Sequence, residues 1–198
     1  MIDSFKKIPI DFGQGGLRKS SKGKLIAFSL IDSKRKGLAL DLGCREGYWS
    51  KRIEALGYEV ASIDIEKRYH KCTVMDANKP LPFPDQSFDL VWSSEVIEHL
   101  DSPQKIMTEL KRILKPGGQI ILTTPNSYFW LFKLLSLFGQ TPKKLQRSDH
   151  KHFFNLSNIK EIFPEAKIYG FFPYFLVKFK ITKLIGLLSP TFVIYLKK

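Results

Sequence analysis

Gly37-Leu-Ala-Leu-Asp41-Leu-Gly43-Cys44-Arg45-Glu-Gly47 decides how this chain is read. The run opens as an apolar stretch of strand length and ends on Asp41 and Gly43. Tyr48 to Gly57 follows with helical periodicity: Trp49, Ile53 and Leu56 share a face and Gly57 serves as C-cap. Between strand and helix, Gly43 and Gly47 let the backbone turn sharply and approach a ligand with no side chain in the way. The helix start adds N–H groups and a positive dipole end, suited to a carboxylate. Two glycines four apart behind an aspartate are not the G-x-G-x-x-G of a dinucleotide site, which disfavours a nicotinamide cofactor.

The same grammar continues outward. EVASIDI (59–65) alternates as a second strand and ends at Asp64, and KCTVMDA (71–77) is a short third strand that ends at Asp76-Ala77. Pro80, Pro82 and Pro84 impose a loop. FDLVWSSEV (88–96) is a fourth strand and QIILTTP (119–125) a fifth. Between them SPQKIMTELKRILKPGG (102–118) reads as a helix, with Ser102 as N-cap, Pro103 at the first helical position and Gly117 past the end. Strands alternating with helices predict an α/β protein with a parallel sheet covered on both faces. In such sheets a ligand lies beyond the carboxyl ends of the strands. Asp64 is placed to accept both ribose hydroxyls of an adenosine, and Asp76 to accept from an adenine amino group beside the Ala77 backbone. The fourth strand delivers Ser93, Ser94, Glu95 and Val96 to the same edge. Each is also an ordinary polar strand end; four suitable ends in order point to one ligand edge.

LALDLGCREGYWS, SIDIE, MDANKPLPFPDQSFDLVWSSEVIEHLDSP and ELKRILKPGGQIILTTPN resemble the class I S-adenosylmethionine-dependent methyltransferases. The pattern is most similar to the ubiquinone/menaquinone-biosynthesis type (methyltransferase type 11), over about residues 37–126. The resemblance implies a Rossmann-like fold with a mostly parallel seven-stranded sheet and helices on both faces. It also implies S-adenosyl-L-methionine as cofactor. Asp41, Gly43, Cys44 and Gly47 would then form the methionine-side loop, and Asp64 with Ile65 the ribose side. Asp76 and Ala77 would border the adenine, and Ser93 and Ser94 would line the cofactor by backbone contacts. Phe88-Asp89 would close the sheet edge structurally. Two positions depart from the pattern. Arg45 stands where the family often has a third glycine. Only eleven residues separate Asp64 from Asp76, so the second crossover helix is absent or one turn long.

Methyl transfer is a displacement at carbon in which position and exclusion of water matter most, and a base helps when the acceptor must lose a proton. His99, just after the fourth strand, is a candidate base, with a loop-holding histidine as the plain alternative. His150 and His152, with Asp149 in SDHKHFF, are further candidates, with a basic surface loop as theirs. Two histidines two apart are a weak metal signal, and no metal is expected. Asn126 and Tyr128 are placed to hydrogen-bond an acceptor.

The chain of 198 residues suits a single domain: an arm and helix over 1–36, a cofactor core over 37–126, and an acceptor side with closing strands over 127–198. Two cysteines make no disulfide framework, and no signal peptide is read at the N-terminus, so a reducing cytoplasm is expected, with peripheral membrane contact as an option. The net charge of +13 is concentrated at the ends: nine Lys/Arg against three Asp/Glu before residue 37, and eleven against three after residue 138. Such flanks suit an anionic partner, or simply reflect a lysine-rich composition. YFWLFKLLSLF (128–138) and FFPYFLVKFKITKLIGLL (171–188) are apolar but too short, or too charged and broken, to span a membrane. They either complete the core or form an apolar wall beside the site that meets lipid. KIYGFF and TFVIYL are expected to pair as closing antiparallel strands. The leading reading is a methyltransferase acting on a small-molecule or lipid-like acceptor. RNA or protein methylation, favoured by the basic flanks, and a non-catalytic cofactor-binding regulator are the alternatives.

Overall fold

The structure, a computed structural model, describes residues 21–172 and 178–198; residues 1–20 of the arm and helix expected over 1–36, and residues 173–177 of the second apolar segment, lie outside them. Strand periodicity builds two cores on one sheet. In β1 (Gly37–Leu42), Ala39 faces one side and Leu40 and Leu42 the other; in β4 (Phe88–Ser94), Leu90 and Trp92 alternate in the same way with Val91. One core gathers beneath α1 (Lys22–Ser29) and α2 (Tyr48–Ala55), where Trp49 lies 4.9 Å from Trp92 between ring centroids. The other gathers beneath α3 (Pro103–Ile113) and α6 (Leu156–Ile162). Central strands buried on both faces are what a parallel sheet sandwiched by helices requires.

With β2 (Tyr58–Asp64), β3 (Cys72–Val74), β5 (Leu114–Pro125), β6 (Lys167–Phe172), β7 (Phe179–Ile181) and β8 (Thr191–Lys197), the strand order is β3-β2-β1-β4-β5-β8-β6-β7. The first five run parallel, and β8 is antiparallel to both β5 and β6. The expected closing pair is therefore present, with Lys167 opposite Tyr195. The sheet has eight strands, not seven, because Phe179–Ile181 of the second apolar segment pairs with β6. That segment is thus no continuous wall: Phe171 is fully buried in β6, and Ile185 is buried in the short α7 (Ile185–Leu188). Between β2 and β3 there is no helix, as the short spacing predicts.

α3 starts where expected, with Ser102 Oγ accepting the Lys105 amide at 3.3 Å and Pro103 in the first turn. It ends earlier than the sequence reading put it. Pro116 cannot donate to a helix, and the backbone from Leu114 onward finds partners in strands instead. Leu114 pairs with Phe88, and Gly117 and Gly118 exchange hydrogen bonds with Lys198.

Candidate active site

All the strand ends singled out from sequence converge on the carboxyl edge of β1, β2, β3 and β4. Three left-handed residues shape the loop after β1: Gly43 (φ 83°), Arg45 (φ 47°) and Gly47 (φ 73°). A Cβ on Gly43 would lie 2.3 Å from Val96 Cγ2, and one on Gly47 2.5 Å from the Tyr69 ring, so both positions need glycine for space as well as for φ. The left-handed φ at Arg45 explains why a glycine suits that position. Here the Arg45 amide donates to Asp64 Oδ2 at 2.9 Å, which tethers the loop to the end of β2.

Asp41 is buried and accepts from Ser50 Oγ, which in turn accepts from Ser62 Oγ at 2.9 Å. Burial pushes its carboxyl up to about 7, with the nearby Asp64 adding to the rise and Ser50 opposing it. Asp64 is half-buried, and Glu66 N–H donates to its Oδ1 at 3.1 Å. Ile65 is 67% exposed, an apolar side chain laid open beside it. The Cys44 side chain is buried with Tyr69 and Cys72, where burial and the Cys72 neighbour raise its pKa. Asp76 is half-buried and its Oδ1 is engaged by both nitrogens of Asn78, so the adenine-side acceptor has an internal partner. Ala77 packs against the core on the α3 side. Ser94 Oγ lies 2.9 Å from Thr123 Oγ1, while Ser93 Oγ is buried with no hydrogen-bond partner among the described residues.

A second cluster lies just past β4. The 3-10 turn Ile97–His99 carries Glu98 and His99, and the Glu98 carbonyl accepts the amides of Lys151 and His152 at 2.9 and 3.0 Å. This clamps the distant 149–152 loop to the turn and sets the His99 and His150 rings edge to face at 4.8 Å. His99 Nδ1 lies 3.1 Å from the Asp149 carbonyl, and His150 Nδ1 lies 3.4 Å from Gln146 Oε1. Glu98 is 1% exposed, and burial, then the charge of Glu95, push its carboxyl well above the usual carboxylate range. His152 does not join this cluster: its Nε2 faces the Leu100 carbonyl at 2.9 Å and its ring stacks on Phe154. Asn126 does not face an acceptor either. It is fully buried, its amide donates to Gly186 and Ser189 carbonyls, and its Oδ1 accepts the Tyr128 amide. Tyr128 itself is 38% exposed. The sequence reading missed Glu98; its signal was an acid inside the otherwise apolar VIEHL run. It also expected no metal, whereas one carboxylate oxygen of Glu98 and one ring nitrogen each of His99 and His150 fall within 4.8 Å of one another.

Comparison with known proteins agrees with this architecture. A family model described as a methyltransferase domain matches residues 18–167. A probable S-adenosylmethionine-dependent methyltransferase of Mycobacterium tuberculosis is 35% identical over 96 residues, covering 44% of this chain and 35% of that protein. A malonyl-[acyl-carrier protein] O-methyltransferase of Erwinia pyrifoliae is 34% identical over 107 residues, covering 48% of this chain and 41% of its own. The chain thus spans less than half the length of these relatives. The crystal structure of an S-adenosylmethionine-dependent methyltransferase from Archaeoglobus fulgidus shares the fold, with a TM-score of 0.65 at 20% identity over 92% of this chain and 97% of that one. A mostly parallel sheet whose strand β8 is inserted antiparallel between β5 and β6, a glycine loop after β1 and acids at the ends of β2 and β3 define a class I methyltransferase architecture. The chain belongs to the S-adenosylmethionine-dependent methyltransferase family.

The edge fits that family's cofactor. Asp64 has one backbone donor on each oxygen and a further acceptor lobe on each for a diol. Ser93 Oγ is an orphaned polar atom at the carboxyl end of β4, as expected where a polar ligand group belongs.

Proposed function

We propose that this chain transfers the methyl group of S-adenosylmethionine to a small-molecule or lipid-like acceptor that presents an oxygen nucleophile. The observation that carries the reading is the imidazole pair His99–His150, set against buried Glu98 on the edge where the cofactor loop opens. Bound S-adenosylmethionine supplies an electrophilic methyl carbon. In this reading Asp41 and the 43–47 loop hold the methionine end, Asp64 and Ile65 the ribose, and Asp76 and Ala77 the adenine side. Ser93 and Ser94 line the middle. A ring nitrogen of His99 or His150 takes the acceptor's proton, and Tyr128 orients the acceptor.

The acceptor side supports an apolar substrate. Five residues beyond β5, α4 (Trp130–Ser136) and the turn between it and the short α5 (Pro142–Leu145) leave Leu134, Leu137 and Phe138 exposed, the last two at 79% and 74%. Ser127 Oγ donates to Gln146 Oε1 at 2.9 Å, and that oxygen reaches His150, so this apolar segment and the histidine pair border one another. Two relatives are named as O-methyltransferases, one of malonyl-[acyl-carrier protein] and one of ubiquinone biosynthesis, which supports an oxygen acceptor. No helix among the described residues is long and apolar enough to cross a membrane.

Calorimetry with S-adenosylmethionine and its demethylated product tests the cofactor half, with micromolar or tighter binding expected. Binding of a nicotinamide dinucleotide in their place would overturn it. For the acceptor half, transfer of labelled methyl to carboxylic-acid and phenol acceptors or to a lipid extract is the expected outcome. Transfer to RNA alone would move the assignment to the basic flanks.

A further inference from the structure

We propose that Glu98, His99 and His150 form a binding site for a divalent first-row transition-metal ion beside the methyl-transfer edge. Its place in catalysis rests on the functional reading above; the ion site itself does not.

The geometry is that of a ligand set, not of three polar residues that happen to meet. Glu98 is 1% exposed, and Thr124 Oγ1 donates to its Oε2 at 3.0 Å. Its Oε1 is fully buried with no hydrogen-bond partner among the described residues, and the ring nitrogen it faces, His99 Nε2, is 4.0 Å away, beyond hydrogen-bond reach. A buried carboxylate oxygen left in this way is unfavourable unless a donor or a cation occupies the space in front of it. The Asp149 carbonyl lies at Nδ1 of His99, so Nδ1 carries the proton and Nε2 presents its lone pair toward Glu98. A histidine whose second nitrogen donates to a backbone carbonyl is the usual arrangement of a metal ligand. His150 is oriented by Gln146, whose Oε1 is itself held by Ser127 Oγ at 2.9 Å.

The three ligand atoms lie within 4.8 Å of one another. Atoms bound to one ion at about 2.0–2.2 Å sit roughly 3–3.5 Å apart, so small side-chain rotations close the set. The supporting backbone is already fixed, since the Glu98 carbonyl holds the amides of Lys151 and His152. Two imidazoles and one carboxylate suit zinc, iron(II), cobalt(II) or manganese(II) over magnesium or calcium, which prefer all-oxygen shells. Three protein ligands leave coordination positions open. An ion there would occupy the ring nitrogens that the metal-free reading gives to proton transfer, and would take over that task by holding the acceptor's oxygen atom next to the cofactor edge and easing the loss of its proton.

The full chain, stripped with EDTA and dialysed in turn against zinc, manganese, cobalt and magnesium salts, tests this by elemental analysis and by the visible absorption of bound cobalt(II). One equivalent of a transition metal is expected, with a cobalt spectrum that reports nitrogen ligands. His99→Ala, His150→Ala and Glu98→Gln should each weaken binding at least tenfold, and His70→Ala, an exposed histidine elsewhere, should not. His99 is partly exposed, so His99→Ala retains the fold by circular dichroism and decides the matter if a buried substitution does not. The proposal is overturned if the wild type takes up no stoichiometric metal, or if folded His99→Ala binds it as the wild type does. Cofactor calorimetry on the same samples separates the two claims: absent metal with intact cofactor binding sinks this site alone, and absent cofactor binding sinks the functional reading.

Discussion

Arg45 concentrates the conflict between local preference and site geometry. It occupies a left-handed conformation that disfavours any side chain, yet its amide must turn toward Asp64. Arg45→Gly should relieve that strain and lose part of the gain to greater freedom in the unfolded chain, for a net stabilisation of about 0.5 kcal/mol in a urea titration. Because the contact to Asp64 comes from the backbone, cofactor affinity should not fall. Asp64→Ala, in contrast, should weaken cofactor binding by about 1–3 kcal/mol, read by calorimetry. Asp41 makes a prediction in pH. Its folded pKa of about 7 lies above the ordinary 3.8, so between those values the folded chain keeps a proton that the unfolded chain gives up. The stability associated with this group is therefore full below about pH 4 and lost as pH rises toward 7, by at most about 4 kcal/mol. Asp41→Asn should flatten that slope in urea titrations across the range; an unchanged slope would mean that Asp41 ionises normally in the fold.

At the scale of elements, Asp89 ties three pieces of chain together. Its carboxylate accepts from the Leu38 amide at 3.1 Å, Lys115 at 2.7 Å and Arg35 at 3.2 Å, so β4 holds the start of β1 and the Lys115–Gly118 turn. Gly37 passes so close that a Cβ there would lie 2.2 Å from Asp89 Oδ2. Burial alone would raise the Asp89 pKa, but Lys115, the Leu38 amide and Arg35 outweigh it and hold the carboxyl below its usual range. Its contribution is thus present near neutrality and lost on acidification. Asp89→Ala should destabilise by about 1–3 kcal/mol, because it leaves a partly buried amide without its acceptor and removes the partner of two partly exposed cations. A urea midpoint close to that of the wild type would show that the turn is held elsewhere.

For the whole molecule, the imbalance is one of surface. Leu137 and Phe138 are mostly exposed beside Lys133, Lys143 and Lys144, while the opposite faces of the sheet are well covered. An exposed apolar ridge flanked by lysines suits an anionic lipid surface, at about 1 kcal/mol per lysine near the headgroups. Co-sedimentation with acidic vesicles is expected to fall as salt rises, and to fall further in Leu137→Asp with Phe138→Asp. Binding that ignores those two substitutions would move the lipid contact to another face.

The alternation of strand and helix, the glycine loop and the acids at strand ends were legible in the sequence because they follow from local rules: period-two burial, turn chemistry and the carboxyl-edge geometry of parallel sheets. The missing crossover helix could be counted from Asp64 to Asp76. Three features could not be read locally. The end of α3 at Ile113 depends on the Lys198 backbone, 81 or so residues away, which competes for the Gly117 and Gly118 backbone groups. The eighth strand depends on an edge of β6 that exists only once β8 has paired. The union of Glu98 and His99 with His150 depends on long-range contacts, the Glu98 carbonyl that captures a loop some 50 residues downstream and the Asp149 carbonyl that meets the His99 ring. Sequence spacing determines which side chains share a strand or a turn, and long-range backbone hydrogen bonds decide which of those turns meet. Asn126 and His152 looked like acceptor contacts from their positions along the chain, but tertiary packing turned their polar atoms to carbonyls of the fold itself, because a buried donor must find a partner wherever the chain leaves one.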